Sequence, residues 1–200
     1  MIGLGRSEGP GHADNLRHRY DDLWHRVGSL GLDGVRLGLS WARVQPRARV
    51  RDVEALETYR RVVDHAHQRD LWVSVELVDG AWPSWLGMEP WTKPWVKDAL
   101  ARYVRLVTAE IGADEYVITS DVDELVDGYV SGQRPPWRRD ALEERTLAAR
   151  NLVEWMSEIR ATSPDVPWGP LHSHVVGRLL EGRGPLSGVP ALISRSEWNE

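Results

Sequence analysis

The sequence predicts an α/β fold of parallel strands with covering helices, and three observations lead to this fold class. Short apolar runs alternate with longer stretches in which apolar residues recur at helical spacing. The first strand candidates lie roughly 40 residues apart, which leaves room for a helix in each connection. Gly31 and Gly112 follow two of the helical stretches as stop signals. Strands joined in this way form right-handed βα units, so the helices should cover the sheet.

Apolar stripes predict four helices, each with one apolar face. The helices span 14–30, 53–69, 94–111 and 139–161. Short apolar runs predict six strands, of which the first is weak. The strands span 2–5, 35–39, 71–78, 116–120, 168–172 and 191–194. Strands and helices alternate up to the fifth strand, and the segment 182–190, rich in Pro and Gly, then indicates a shortcut loop.

These elements suit a barrel of βα units that is smaller than usual. A complete (β/α)₈ barrel needs about 250 residues, and this chain has 200. The sequence therefore predicts a reduced or incomplete TIM-type barrel that is minimal, incomplete or completed by a second chain. Because no linker or low-complexity segment interrupts the pattern, we expect a single domain over 1–200.

Composition and charge exclude several classes of protein. The net charge of −5, with acidic and basic clusters interleaved, argues against a nucleic-acid partner. The chain has no cysteine, which excludes disulfides, thiolate metal sites and a thiol nucleophile. An apolar run of membrane length and a signal-like start are both missing, so we expect a cytoplasmic protein without membrane contact. A preference for Arg over Lys and for Trp over Phe fits the codon bias of a GC-rich bacterial genome.

Four segments carry a resemblance to a known family. RHRYDDLWHRVGSLGLDGVRLGLSWARVQP at 17–46 holds a helix ending in LG and a strand ending in SW-x-R-x-x-P. WVSVELVDGAWPSWLG at 72–87 contains P-x-WL, and YVITSDVDELVDGYVSGQRPPW at 116–137 contains GY-x-x-G-x-x-PP. VPWGPLHSH at 166–174 is similar to a strand of the type VG-x-VHN. Together these segments resemble the second to fifth strands of glycoside hydrolase family 1, the β-glucosidase-type (β/α)₈ enzymes.

The resemblance is to a truncated and divergent relative that lacks both catalytic glutamate motifs. The family places a general acid and base inside T-x-NEP after the fourth strand and a nucleophile inside TENG after the seventh. Matching the fourth strand puts Asp121 at the acid and base, whereas matching the downstream GY puts Ser120 there. If the last strand candidate is the seventh strand, Arg195 stands at the nucleophile with Glu197 two residues on. An assignment of that strand as the sixth fits equally well.

Other positions of the family are partly retained. The resemblance places Asp79 where the family has a His after its third strand, and Arg6 where it has a sugar-binding Gln. Arg36, Trp41 and Glu8 stand as the resemblance expects. In the family this arginine holds the nucleophile, and the resemblance implies that Arg36 lines the pocket here.

Candidate reactive groups cluster at one rim, because parallel barrels carry their active groups at the carboxyl ends of strands. Glu76, Asp79 and Asp121 lie there, and paired carboxylates in a half-apolar pocket divide into one acid and one base. We therefore expect these three to be catalytic. The expected substrate-binding residues, from the same rim or from the resemblance, are Arg6, Arg36, Trp41, Trp82, Ser120, His172, Arg195 and Glu197.

Each candidate has a structural alternative. Asp79 or Asp121 could instead cap a helix or pair with an arginine, and Glu76 could form a salt bridge to a covering helix. Most tryptophans could simply fill the core in place of Phe. Asp123 and Glu124 (the residues after Val122) should begin the next helix. Because Arg36 lies within a strand, we expect it to be buried beside an anionic partner.

Two classes of function follow from these residues. The first is a glycoside-hydrolase-like enzyme that uses carboxylate acid–base chemistry on a sugar-like or polyoxygenated metabolite, without the standard retaining β-glucosidase mechanism. A biosynthetic cyclase, isomerase or dehydratase on the same scaffold is its variant. The second is a non-catalytic sugar- or partner-binding protein, with a homo-oligomer covering the incomplete barrel. His172 and His174 lack a third ligand and no phosphate loop occurs, so we expect no metal and no cofactor.

Overall fold

A parallel sheet forms the centre of the molecule. The computed structural model describes residues 16–169. Its three strands, in spatial order, are β1 (Gly34–Gly38), β2 (Trp72–Glu76) and β3 (Glu115–Val117). Gly34 pairs with Trp72, and Ser74 pairs with Glu115. A further parallel bridge joins Tyr116 to Trp168, so the chain enters a fourth strand position beside β3.

Helices connect the strands in the order that the sequence predicts. They are α1 (Leu16–Ser29), α2 (Trp41–Val44), α3 (Val53–His67), α4 (Trp95–Glu110), α5 (Val122–Val126) and α6 (Leu142–Ala161). Helix α3 begins where the Asp52 carboxylate accepts a hydrogen bond from the Ala55 amide at 2.9 Å. None of the helices within residues 16–169 has the length and apolarity that a membrane crossing requires.

The α/β prediction is confirmed, with shifted element ends. The last helix begins at Leu142 and not at 139, because Asp140 has a φ of 55°, outside the helical region. Two short helices, α2 and α5, follow β1 and β3, and only the second was expected, through Asp123 and Glu124. The predicted strands at 2–5 and 191–194, and most of that at 168–172, lie outside the described residues.

The two faces of the sheet differ in character. Side chains alternate along a strand, so Leu37, Val75 and Tyr116 share one face and are buried in the apolar core. The helices cover this face with the apolar side of their own stripes. The buried residues of α3 and α4 include Val62, Val63, Ala66, Leu100, Tyr103 and Val104. In the described part of the chain the sheet does not close on itself, so the barrel is incomplete there.

Candidate functional site

The opposite face of the sheet, which is the inner face of a barrel, carries a row of three polar residues and a single glutamate in the next row. Arg36, Ser74 and Glu115 lie side by side in the first row, and the Ser74 hydroxyl donates to Glu115 Oε1 at 2.7 Å. Glu76 lies in the second row, nearer the carboxyl end, opposite Gly38. The second row leads directly into the loops that follow the strands, which is where parallel barrels hold their reactive groups.

Glu76 is a buried carboxylate with defined partners. Only 3% of the residue is exposed. Its Oε1 atom accepts hydrogen bonds from the Ser120 amide at 2.6 Å and the Ser120 hydroxyl at 2.7 Å, with the Thr119 hydroxyl at 3.5 Å. These donors come from the segment after β3. The described contacts of Glu76 are these hydrogen bonds. They do not include the salt bridge to a covering helix that was its structural alternative.

Asp79 lies over the end of β1. A Cβ atom built on Gly38 would come within 2.1 Å of Asp79 Oδ2, so the missing side chain of Gly38 provides the space for this carboxylate. Asp79 is half-buried. Asp79, which follows β2, thus brings the carboxyl end of β2 into contact with the carboxyl end of β1.

Tyr59 and Arg43 extend the site beside Asp79. The Tyr59 hydroxyl accepts a hydrogen bond from the Ser40 amide at 3.2 Å, and the Arg43 guanidinium lies 6.0 Å from the Tyr59 ring centre. Burial raises the pKa of Tyr59, and the negative charge of Asp79 adds to this rise against the opposing effects of Ser40 and Arg43. Tyr59 is therefore a neutral hydroxyl at physiological pH.

The loop after Asp79 contacts the segment after β3. Gly80 has a φ of 65°, and a Cβ atom there would lie 3.3 Å from the carboxylate of Glu124. Glu124 in turn pairs with Arg134. Glycine meets both demands, since it adopts this conformation without strain and leaves room for Glu124. Asp79 thus lies against the end of β1 at Gly38, while the next residue, Gly80, lies against Glu124 in the segment after β3.

Asp121 serves as a helix cap. Its Oδ1 atom accepts a hydrogen bond from the Glu124 amide at 2.9 Å at the start of α5, and its side chain is exposed. Asp121 was expected to be either catalytic or a helix cap, and its described contact is that of a helix cap. Asp123 pairs with Arg145 of α6 at 2.5 Å, which fastens α5 to the following helix.

Arg36 differs from the expectation that it is buried. About a third of its side chain is exposed, 33%, and its Nη2 atom lies 4.0 Å from Glu115 Oε1. The reason is that Arg36 points to the inner face, which the described strands leave open. An anionic partner does exist, but Glu115 was not among the candidate residues.

Trp41 belongs to the core, and Trp82 anchors the loop after β2. Trp41 is fully buried and stacks on Tyr103 with ring centres 4.7 Å apart. Its indole N–H donates to Gln45 at 2.9 Å. The expectation that Trp41 binds substrate is corrected by this burial, because its faces are already covered. Trp82 is half-buried; it donates to the Gly87 carbonyl at 3.0 Å and packs edge-on against Trp91, so it shapes the loop after β2.

Several candidates lie outside residues 16–169. They are Arg6, Glu8, His172, His174, Arg195 and Glu197. Among the described residues, no group of three or more His, Asp or Glu side chains is arranged to hold a metal ion. Tyr59 was not among the candidate residues, because it falls within the apolar stripe that predicts the helix over 53–69. Gly38 was also given no role, although a glycine inside a strand is itself a signal of close approach.

The chain is similar to known proteins in sequence and in structure. No family model matches the chain. Beta-glucosidase 47 of Arabidopsis thaliana is 26% identical over 154 residues, covering 68% of this chain and 29% of that protein. A β-glucosidase from Exiguobacterium marinum superposes with a TM-score of 0.71 at 18% identity, covering 82% of this chain and 38% of that one.

A second solved structure gives the same result. A family 1 β-glucosidase from Thermotoga maritima, in complex with isofagomine lactam, superposes with a TM-score of 0.68 at 18% identity. It is matched over 76% of this chain and 36% of its own length. The chain therefore spans about a third of the length of these relatives. At such identity the structural matches establish the barrel fold alone.

Proposed function

We propose that this chain, a divergent relative of the family 1 glycosidases, performs carboxylate acid–base chemistry on a sugar-like or polyoxygenated small molecule. Asp79 and Glu76 at the end of β2 are the proposed acid–base residues. The observation that carries this proposal is the close approach of the Asp79 carboxylate to Gly38, at the carboxyl end of the neighbouring strand β1. A half-buried acid at the carboxyl end of a barrel strand is well located to exchange protons with a bound substrate.

The proposed reaction is not that of a standard retaining β-glucosidase. Of the two residues that stand at the family's acid and base, Ser120 donates to Glu76 and Asp121 caps α5. Both side chains are thus engaged in local contacts. The proposed reaction is instead the cleavage of a glycoside with inversion, or the cyclisation, isomerisation or dehydration of an oxygen-rich metabolite, by one acid at the end of β2 and one in the loop after it.

The test uses a chromogenic glycoside and two isosteric variants. With 4-nitrophenyl β-D-glucopyranoside, Asp79→Asn and Glu76→Gln should each lower kcat by about 10²–10⁴-fold, because general acid–base catalysis is removed. Glu57→Gln, on the exposed face of α3, is the matched control and should leave kcat unchanged. Turnover that survives both Asp79→Asn and Glu76→Gln would refute the assignment of the acid–base residues.

A second candidate is a non-catalytic sugar-binding protein, and one observation favours it. The side chain of Asp121 is engaged as a helix cap, and Glu76 is nearly inaccessible. Calorimetric titration with isofagomine lactam separates the candidates. Binding without turnover of any tested glycoside supports the binding protein, whereas loss of turnover in Asp79→Asn with binding retained supports the enzyme.

We expect a small-molecule ligand, no nucleic acid and a cytoplasmic location, and a second copy of the chain covering the open side of the sheet. Sedimentation velocity at several concentrations tests the assembly. A monomer at all concentrations would contradict the homo-oligomer.

A further inference from the structure

The hydrogen bonds around Glu76 distinguish its two carboxylate oxygens. Ser120 directs two donors to the same atom, Oε1: its amide at 2.6 Å and its hydroxyl at 2.7 Å. A backbone amide can only donate, so Oε1 is an acceptor in this contact. Two donors on one oxygen favour its unprotonated form, so these contacts leave Oε2 as the preferred position for a proton on Glu76.

The donors are held in place by the chain around them. The Thr119 hydroxyl accepts from the Asp121 amide at 3.3 Å, and Asp121 caps α5 through the Glu124 amide. Asp123 joins α5 to α6 through Arg145. Ser120 therefore stands between a sheet strand and a capped helix, and its orientation does not depend on Glu76 alone.

We propose that Ser120 is a positioning residue, which holds Glu76 through Oε1 and leaves Oε2 as the oxygen that exchanges a proton with the substrate. This inference rests on the proposed function, in which Glu76 is one of the acid–base residues. The segment after β3 then has a different task from the one that the resemblance implies. It does not present an acid of its own but orients the carboxylate of the neighbouring strand β2.

The contact itself is tested without any substrate, by NMR measurement of amide hydrogen exchange. In Glu76→Ala the Ser120 amide should exchange at least about tenfold faster than in the wild type, because its acceptor is lost. Glu57→Ala is the control and should not alter it. Ser120→Thr, which retains both donors, should keep the slow exchange at residue 120. Unchanged exchange of the Ser120 amide in a folded Glu76→Ala protein would overturn the proposed contact.

The consequence for the reaction is tested with 4-nitrophenyl β-D-glucopyranoside. Ser120→Ala should lower kcat by about 10²-fold with a much smaller change in KM, because a misplaced reactive group affects the chemical step most. The pH profile of kcat should also move, and Ser120→Thr should restore both. Ser29→Ala, which alters an exposed serine at the end of α1, is the control.

The outcomes separate this inference from the proposed function. If Ser120→Ala retains the kcat and pH profile of an active wild type, the positioning role is wrong and the acid–base function stands. If the wild type neither turns over glycosides nor binds isofagomine lactam, the proposed function fails and the reactive role of Oε2 fails with it. The exchange measurement then still decides whether Ser120 holds Glu76.

Discussion

Asp79 and Asp121 follow adjacent strands, yet the two carboxylates have different surroundings. Asp121 is exposed and bound to a backbone amide of its own helix, while Asp79 rests on the neighbouring strand at Gly38. A cap is satisfied locally and needs nothing from a ligand. A carboxylate that packs against another strand takes its position from the tertiary structure.

Replacement of Asp121 should affect stability more than chemistry. Asp121→Ala should lower the free energy of unfolding by about 1 kcal/mol, because the cap of α5 is lost, whereas Asp121→Asn should keep the cap. Urea unfolding measures both variants. A strong loss of turnover in the well-folded Asp121→Asn protein would instead make Asp121 a participant in the reaction.

Replacement of Gly38 should displace Asp79 without changing its chemistry. A Cβ atom at residue 38 would lie 2.1 Å from Asp79 Oδ2, so Gly38→Ala should move the carboxylate and lower kcat by about 10²-fold. Gly112→Ala is the matched control, since nothing lies within 4 Å of a Cβ atom there. Equal kinetics for Gly38→Ala and Gly112→Ala would show that the fit of Asp79 against residue 38 does not matter for turnover.

Replacement of Trp41 should destabilise the fold. Trp41→Ala removes a fully buried ring that stacks on Tyr103, and we expect a loss of about 3–5 kcal/mol in the free energy of unfolding. Trp95→Ala, at a half-exposed position on α4, should cost about 1 kcal/mol or less. Thermal and urea unfolding of both proteins provide the comparison, and a mild effect at Trp41 would return it to the list of binding residues.

At the scale of elements, one carboxylate ties three of them together. Asp114 follows α4 and accepts hydrogen bonds from the Val73 amide of β2 at 2.7 Å and from His67 at the end of α3 at 2.9 Å. Burial alone would raise the pKa of Asp114, but the bonds from Val73 and His67 outweigh it and the pKa is lowered. This junction fixes the amino end of β2, while Asp79 and Glu76 lie at the other end.

The junction predicts a dependence of stability on acid pH. Because the pKa of Asp114 is lower in the folded state, its contribution is complete above the ordinary value of about 3.9 and is lost as the pH falls through the folded value. Asp114→Asn should be less stable than the wild type near neutral pH, and the difference should shrink on acidification. Urea unfolding between about pH 2.5 and pH 6 measures it. A difference that does not vary with pH would contradict the role of the charge.

At the scale of the whole molecule, the described part is a segment of a parallel barrel whose inner face is polar. Arg36, Ser74 and Glu115 form one row on it, and Glu76 begins the next. Charged residues on an inner wall are rarely retained without partners, because burying them costs free energy. The described strands therefore present charged and polar side chains on the inner face, and these side chains are partnered with one another.

The absence of a TENG motif from this sequence predicts resistance of the chain to covalent labelling. An activated 2-deoxy-2-fluoroglucoside traps retaining glycosidases as a covalent glycosyl-enzyme, which requires a carboxylate nucleophile opposite the acid. Since the sequence lacks TENG, we expect no adduct by intact-protein mass spectrometry. An adduct on any carboxylate would show that a retaining mechanism persists with a relocated nucleophile.

Sequence periodicity was enough to determine the strand–helix alternation and the edge at which the acidic residues gather. Apolar spacing reflects which face is buried, and parallel strands bring their carboxyl ends to one side whatever the details of packing. Three strands, four helices and the positions of Glu76 and Asp79 could therefore be predicted. Only the tertiary structure decided what each side chain does there. It made Asp121 a cap, Trp41 a core residue and Gly38 the seat of Asp79, because these roles depend on which atoms approach from other strands, and residue type and spacing carry no such distances.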